Sequence, residues 1–224
     1  KSYFAPIAAP FTASFSSRGP LQAGNGDLLK PDIIAPGQDI LAGVAPYEYG
    51  GEYFGLLSGT SMSSPHIAGI GALLKDARPT WTPAMIKSAI MTSAGDILDG
   101  PNTHPLVIFR QGAGHVRPNA ALNPGLVFNS GFNDWLGFLC GTQLPTSFCT
   151  SAGVPVLDPS DLNVPSIAIG DLAGVQSVTR TVTNVSGRTL TFTHAASTSF
   201  GPTLRTILPL RVEEISSASC TMKP

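Results

Sequence analysis

Between Ile67 and Leu74 every position is apolar or glycine. A helix with that pattern has no wet face, so the run predicts a helix enclosed by protein on all sides. Pro65 predicts a start just before itself, because the first N–H groups of a helix have no partner within it and a proline forfeits little there. Arg78-Pro79 ends the helix. Thr82-Pro83 then opens a second one, a capping hydroxyl followed by proline, with Met85, Ile86, Ala89 and Ile90 at helical spacing. Upstream, Ile33–Ala35 and Ile40–Val44 read as two buried strands split by the turn signal Pro36-Gly37. Residues 11–20 read as a short strand running into a turn, with Phe11 and Phe15 under a packed layer, followed by a glycine-rich loop from Gln22 to Asp27. From Asp161 the texture changes to Thr, Val and Ser. There Leu190, Phe192 and His194 alternate with threonines at strand period, and Ser186-Gly187 marks a turn.

Composition narrows the function classes. Of 224 residues, 42% are hydrophobic and 12% charged, which suits a globular chain with a sizeable core. The net charge is −1 and no Lys/Arg run occurs, so neither nucleic acid nor an anionic membrane is an expected partner. No apolar run approaches the roughly 20 residues that cross a bilayer. The basic-then-apolar start is broken by Pro6 and Pro10 and carries no initiator Met, so residue 1 is expected to lie inside a longer parent. Cys140 and Cys149 are a disulfide candidate in a secreted protein, the alternative being two buried thiols in a reducing compartment; Cys220 is left over. Asn184-Val185-Ser186 is a glycosylation sequon on an expected turn. No metal is expected, since neither cysteines nor histidines follow a ligand spacing, and no cofactor is implied.

Chemistry concentrates in Gly59-Thr60-Ser61-Met62-Ser63-Ser64-Pro65-His66-Ile67-Ala68-Gly69. This stretch resembles the active-site serine motif of subtilisin-like serine endopeptidases, the subtilases. SFSSRGP and KPDIIAPG precede it in the order found in the larger members. The segment from Gln111 to Phe128 is similar to the one that finishes the catalytic domain, and FNDWLGFLC resembles a connector of the cucumisin-like branch. DLNVPSIAI and VTRTVTNVSG resemble the start of a fibronectin-III-like domain. The fold implied is α/β: residues 1–130 the C-terminal portion of a subtilisin-like parallel-sheet domain, 131–160 a connector, and 161–224 a partial all-β sandwich. About 100 residues make such a sandwich, so an incomplete one with an open sheet edge is expected; the Ser-rich tail after Glu213-Glu214 reads poorly as core strand.

The resemblance implies that Ser61 is the nucleophile and its N–H an oxyanion donor at a helix N-terminus. Thr60 flanks that site, Met62 lies against the serine, and Gly59 leaves room for a substrate backbone. The substrate class implied is protein or peptide, and the location secreted or extracellular. A serine hydroxyl needs a base, and an imidazole needs a third group to orient it. In subtilisin both precede the serine, yet no histidine occurs here before position 66. His66, about 140° round a helix from Ser61, points away. His104, His115 and His194 lie outside the family's base context, as do Asp27, Asp32 and Asp39 outside its acid context. The expected partner is therefore an upstream part of the parent catalytic domain, and the chain alone is expected to be inactive. The alternative is a non-catalytic binding or scaffold module. An esterase with a GxSxG elbow does not fit GTSMS.

Overall fold

In the computed structural model the described residues are 9–99, 105–170, 172, 176–189 and 219–222. The sequence readings at residues 1–8, His104, Leu190, Phe192, His194 and Glu213-Glu214 lie outside them. A hairpin of β1 (Ile40–Gly43) and β2 (Phe54–Leu57) leads through Ser58-Gly59 into α1 (Thr60–Ala77). Then follow α2 (Pro83–Thr92), α3 (Pro105–Gln111), α4 (Pro118–Ala121), β3 (Leu126–Phe128), α5 (Phe132–Thr142) and α6 (Thr146–Ser151). A 3-10 turn at Pro159–Asp161, β4 (Arg180–Asn184) and β5 (Ser219–Met222) complete the order.

The main core is built where helix-period and strand-period residues meet. Leu74 of α1, Trp81, then Ile86, Ala89 and Ile90 of α2 pack with Val116, Ala121 and Val127 of β3, and Ile33, Ala35, Ile67 and Ile70 line the same cluster. Thr82 caps α2 as expected, its Oγ1 accepting from the Met85 N–H at 3.2 Å. Ser88, fully buried on α2, accepts from the Phe128 N–H at 2.8 Å and ties helix to strand. A second cluster, Leu28, Phe138, Leu162 and Val164, joins α5 to the segment after the 3-10 turn.

Several elements depart from the sequence reading. Helix α1 starts at Thr60, so Pro65 stands in its second turn and deprives the Ser61 carbonyl of an i+4 donor. The helix is also not enclosed. Leu74 is its buried residue, whereas Pro65, Ala68, Gly69, Ala72 and Leu73 are exposed, because α2 and the 33–35 segment cover one side of it. Residues 11–20 form a turn with no strand, and Phe11 and Phe15 are about half exposed, since no strand among the described residues lies alongside to pair them. Ile40–Gly43 is a strand but not a buried one, as β2 is its only strand partner among the described residues.

Both sheets among the described residues are antiparallel, β1-β2 and β3-β4-β5. Parallel pairing survives as one bridge, Ile34 to His115, beside an antiparallel bridge from His115 to Gly95. Gly114 permits this junction: its φ is 113°, and a Cβ there would run into the Gly95 carbonyl. Strand β4 buries alternate residues and takes β3 on one side and β5 on the other. The serine-rich tail thus supplies a strand after all. Buried Arg180 holds the preceding segment by donating to the carbonyls of Val164, Ser166 and Thr179 at 2.9–3.0 Å. Burial lowers its pKa to about 10, against the pull of Asp161.

Candidate active site

Ser61 is the second residue of α1, where N–H groups point out of the helix without intrahelical partners. Strand β2 delivers the chain to this point, and the Ala35–Asp39 segment fastens it. The Gly59 N–H donates to the Gly37 carbonyl at 2.8 Å, and the Ser63 hydroxyl donates to the Ala35 carbonyl at 3.0 Å. The Asp39 N–H donates to Ser58 Oγ at 2.8 Å, and that hydroxyl donates to Asp39 Oδ1 at 3.1 Å. Asp39 adopts φ 52°, a left-handed conformation that Asp tolerates better than most residues. No sequence signal marks this fastening beyond the Pro36-Gly37 turn, because Ser63 reads as an ordinary helix-start serine.

Thr60 and Ser61 are exposed at the N-terminal turn of α1, where the Met62 N–H donates to the Gly59 carbonyl at 3.0 Å. Such a site holds a developing oxyanion by oriented N–H groups and the positive helix end. Met62 is half-buried, and a Cβ placed on Gly59 would meet its Sδ and the Ser61 nitrogen at 3.7 Å, ordinary contact distance. Nothing among the described residues therefore requires glycine at 59 on steric grounds.

Among the described residues, Ser61 Oγ has no hydrogen-bonded base. The His66 ring is held by its Nδ1–H, which donates to the Met62 carbonyl at 2.7 Å. His115 Nδ1–H donates to the Val116 carbonyl, far along the chain in the bridge region. Asp27 accepts from the Gly170 N–H, and Asp32 pairs with Lys30 at 2.6 Å and Lys87 at 3.0 Å. No group of three or more His, Cys, Asp or Glu among the described residues is arranged to hold a metal, and no described helix is long and apolar enough to cross a membrane.

The two remaining sequence candidates lie elsewhere. Cys140 and Cys149 are joined as a disulfide linking α5 to α6, and both are buried. Asn184 ends β4 with 8% exposure. Its Nδ2, the atom a glycan would occupy, donates to the Arg188 carbonyl at 2.8 Å, while Oδ1 accepts from the Ser186 N–H and hydroxyl. The sequon therefore lies on a turn closed by its own hydrogen bonds.

The family model described as the Subtilase family matches residues 9–124, just over half of the chain. The chain belongs to the subtilase family. A fibronectin type-III domain model matches residues 161–206 of this subtilase. Among curated relatives, subtilisin-like protease SBT2.5 of Arabidopsis thaliana is 44% identical over 218 residues, covering 84% of this chain and 27% of its own. Subtilisin-like proteases SBT2.6 and SBT2.4 of the same plant are 43% and 41% identical, with 26% and 27% of their lengths covered. The subtilase chain thus spans about a quarter of the length of the curated relatives it matches. Its α/β portion and its partial β domain correspond to the two matched families.

Proposed function

We propose that this chain supplies the nucleophile segment of a secreted serine endopeptidase, with protein or peptide as substrate. Ser61 Oγ attacks the scissile carbonyl and gives its proton to a histidine; the carbonyl oxygen becomes an oxyanion held by the Ser61 N–H. Collapse expels the amine, which takes the proton back from the histidine, and leaves an acyl-serine that water cleaves in the reverse sense. The histidine, its orienting aspartate and the rest of the oxyanion hole come from an upstream part of a longer parent, which packs on the open side of α1. Thr60 flanks the oxyanion site, Met62 backs the serine, and Gly59 leaves the substrate backbone room. Residues 1–130 belong to the catalytic domain, 131–160 to a connector and 161–224 to the fibronectin-III-like part. The observation that carries this reading is an exposed serine at the second position of a long helix, where the first backbone N–H groups lack acceptors within the helix. The Cys140–Cys149 bond supports an extracellular location.

The test is fluorophosphonate labelling of the full-length parent. Wild type is expected to take up one label, mapped to Ser61 by peptide mass, and Ser61→Ala none. A folded parent that stays unlabelled would instead favour a non-catalytic scaffold module, the reading supported by the absence of any base beside Ser61 among the described residues.

A further inference from the structure

Several hydroxyls on or just after helices of this protein bond backward along the helix. Thr92 donates to the Ser88 carbonyl, Ser93 to Ala89, Thr142 to Phe138 and Thr150 to Thr146, each four residues back. Ser63 does not. Its hydroxyl leaves α1 and donates to the Ala35 carbonyl at 3.0 Å, twenty-eight residues away in sequence. The space for this crossing exists because residue 37 is glycine: a Cβ there would run into Ser63 Oγ.

Ser63 and Ser61 are two residues apart, about 200° round the helix, so they face nearly opposite sides. Ser63 is half-buried against the Ala35–Gly37 segment while Ser61 is exposed. The Gly59 bond to the Gly37 carbonyl holds the helix start along its axis. The Ser63 bond, off the axis, holds its rotation. A turn of about 15° would swing an oxygen about 4 Å off the axis by roughly 1 Å, and a displacement of that size costs up to about 100-fold in rate.

We infer that Ser63 is a positioning residue for Ser61: its bond to the Ala35 carbonyl sets the rotation of α1 that aims the nucleophile. This rests on the endopeptidase reading. Chemistry should therefore suffer while the substrate wall does not, which separates this role from a general contribution to folding.

The experiment compares wild-type parent with Ser63→Ala and, as a control outside the clamp, Ser93→Ala, which removes a hydroxyl-to-carbonyl bond of similar length. Ser63→Ala is expected to lower kcat and the fluorophosphonate labelling rate about 10-fold, with KM within about twofold; Ser93→Ala should leave both unchanged. Gly37→Ala, which displaces the hydroxyl without deleting it, should reproduce the kcat defect if it folds. A kcat for Ser63→Ala within twofold of wild type overturns the inference, as does a rise in KM alone. Wild-type parent that neither labels nor cleaves overturns the endopeptidase reading and this inference together.

Discussion

Lys87 is a lysine whose proton affinity the fold lowers. Its ammonium sits 3.0 Å from Asp32, which Lys30 also holds at 2.6 Å, and lies over the Trp135 ring at 5.9 Å. Burial lowers its pKa from 10.5, and Lys30 adds to that, while Asp32 pulls the other way. Between the lowered value and 10.5 the unfolded chain binds more protons than the folded one, so this lysine makes stability rise with pH across that window. Below it the lysine is charged in both states and the desolvation cost is carried in full. Lys87→Met is therefore expected to flatten the wild-type rise in urea midpoint as pH climbs towards 10.5; superimposable slopes would refute it. The motif singles out Ser61 in the sequence, whereas nothing there singles out Lys87 or Ser63. A lysine on a helix and a serine after a nucleophile carry no mark of what they meet, and both contacts cross long stretches of chain.

At the scale of elements, α5 and α6 are held by contacts that depend on small residues. Gly137 and Gly141 let the chain at Pro155–Leu157 lie directly on α5, and the Leu157 N–H donates to the Gly137 carbonyl at 3.1 Å. The Cys140–Cys149 bond, with a sequence separation of 9, closes the turn between the two helices. Loop-closure entropy for a ring of that size is about 2.5 kcal/mol. The double variant Cys140→Ser/Cys149→Ser is accordingly expected to melt roughly 5–10 °C lower in calorimetry, and an unchanged Tm would show that packing alone holds α6. Helix ends were read well where a side chain makes the stop or start locally, as at Thr82 and Arg78. The start of α1 was misplaced because the Gly37 and Ala35 carbonyls, not Pro65, organise its first turn.

At the scale of the molecule, the described residues present large apolar side chains to solvent on α1 and on the hairpin before it. Leu73 on α1 is 69% exposed, and Leu41, Phe54 and Leu56 of the hairpin are as open. A surface of that kind associates. Residues 1–224 expressed alone are expected to bind an apolar dye and to sediment as oligomers, with Leu73→Lys reducing both; a dye-silent monomer would contradict this. The sequence by itself determined the family, the start of α2 and the change from α/β to β texture, because motifs, caps and periodicity act over a few residues. Only the tertiary structure decided that α1 is open on one side, that parallel pairing among the described residues reduces to a single bridge, that β3 joins β4, and that Asn184 is closed off. Those outcomes depend on which distant segments are there to cover a face or complete a sheet, and a local pattern states what a face requires without stating what meets it.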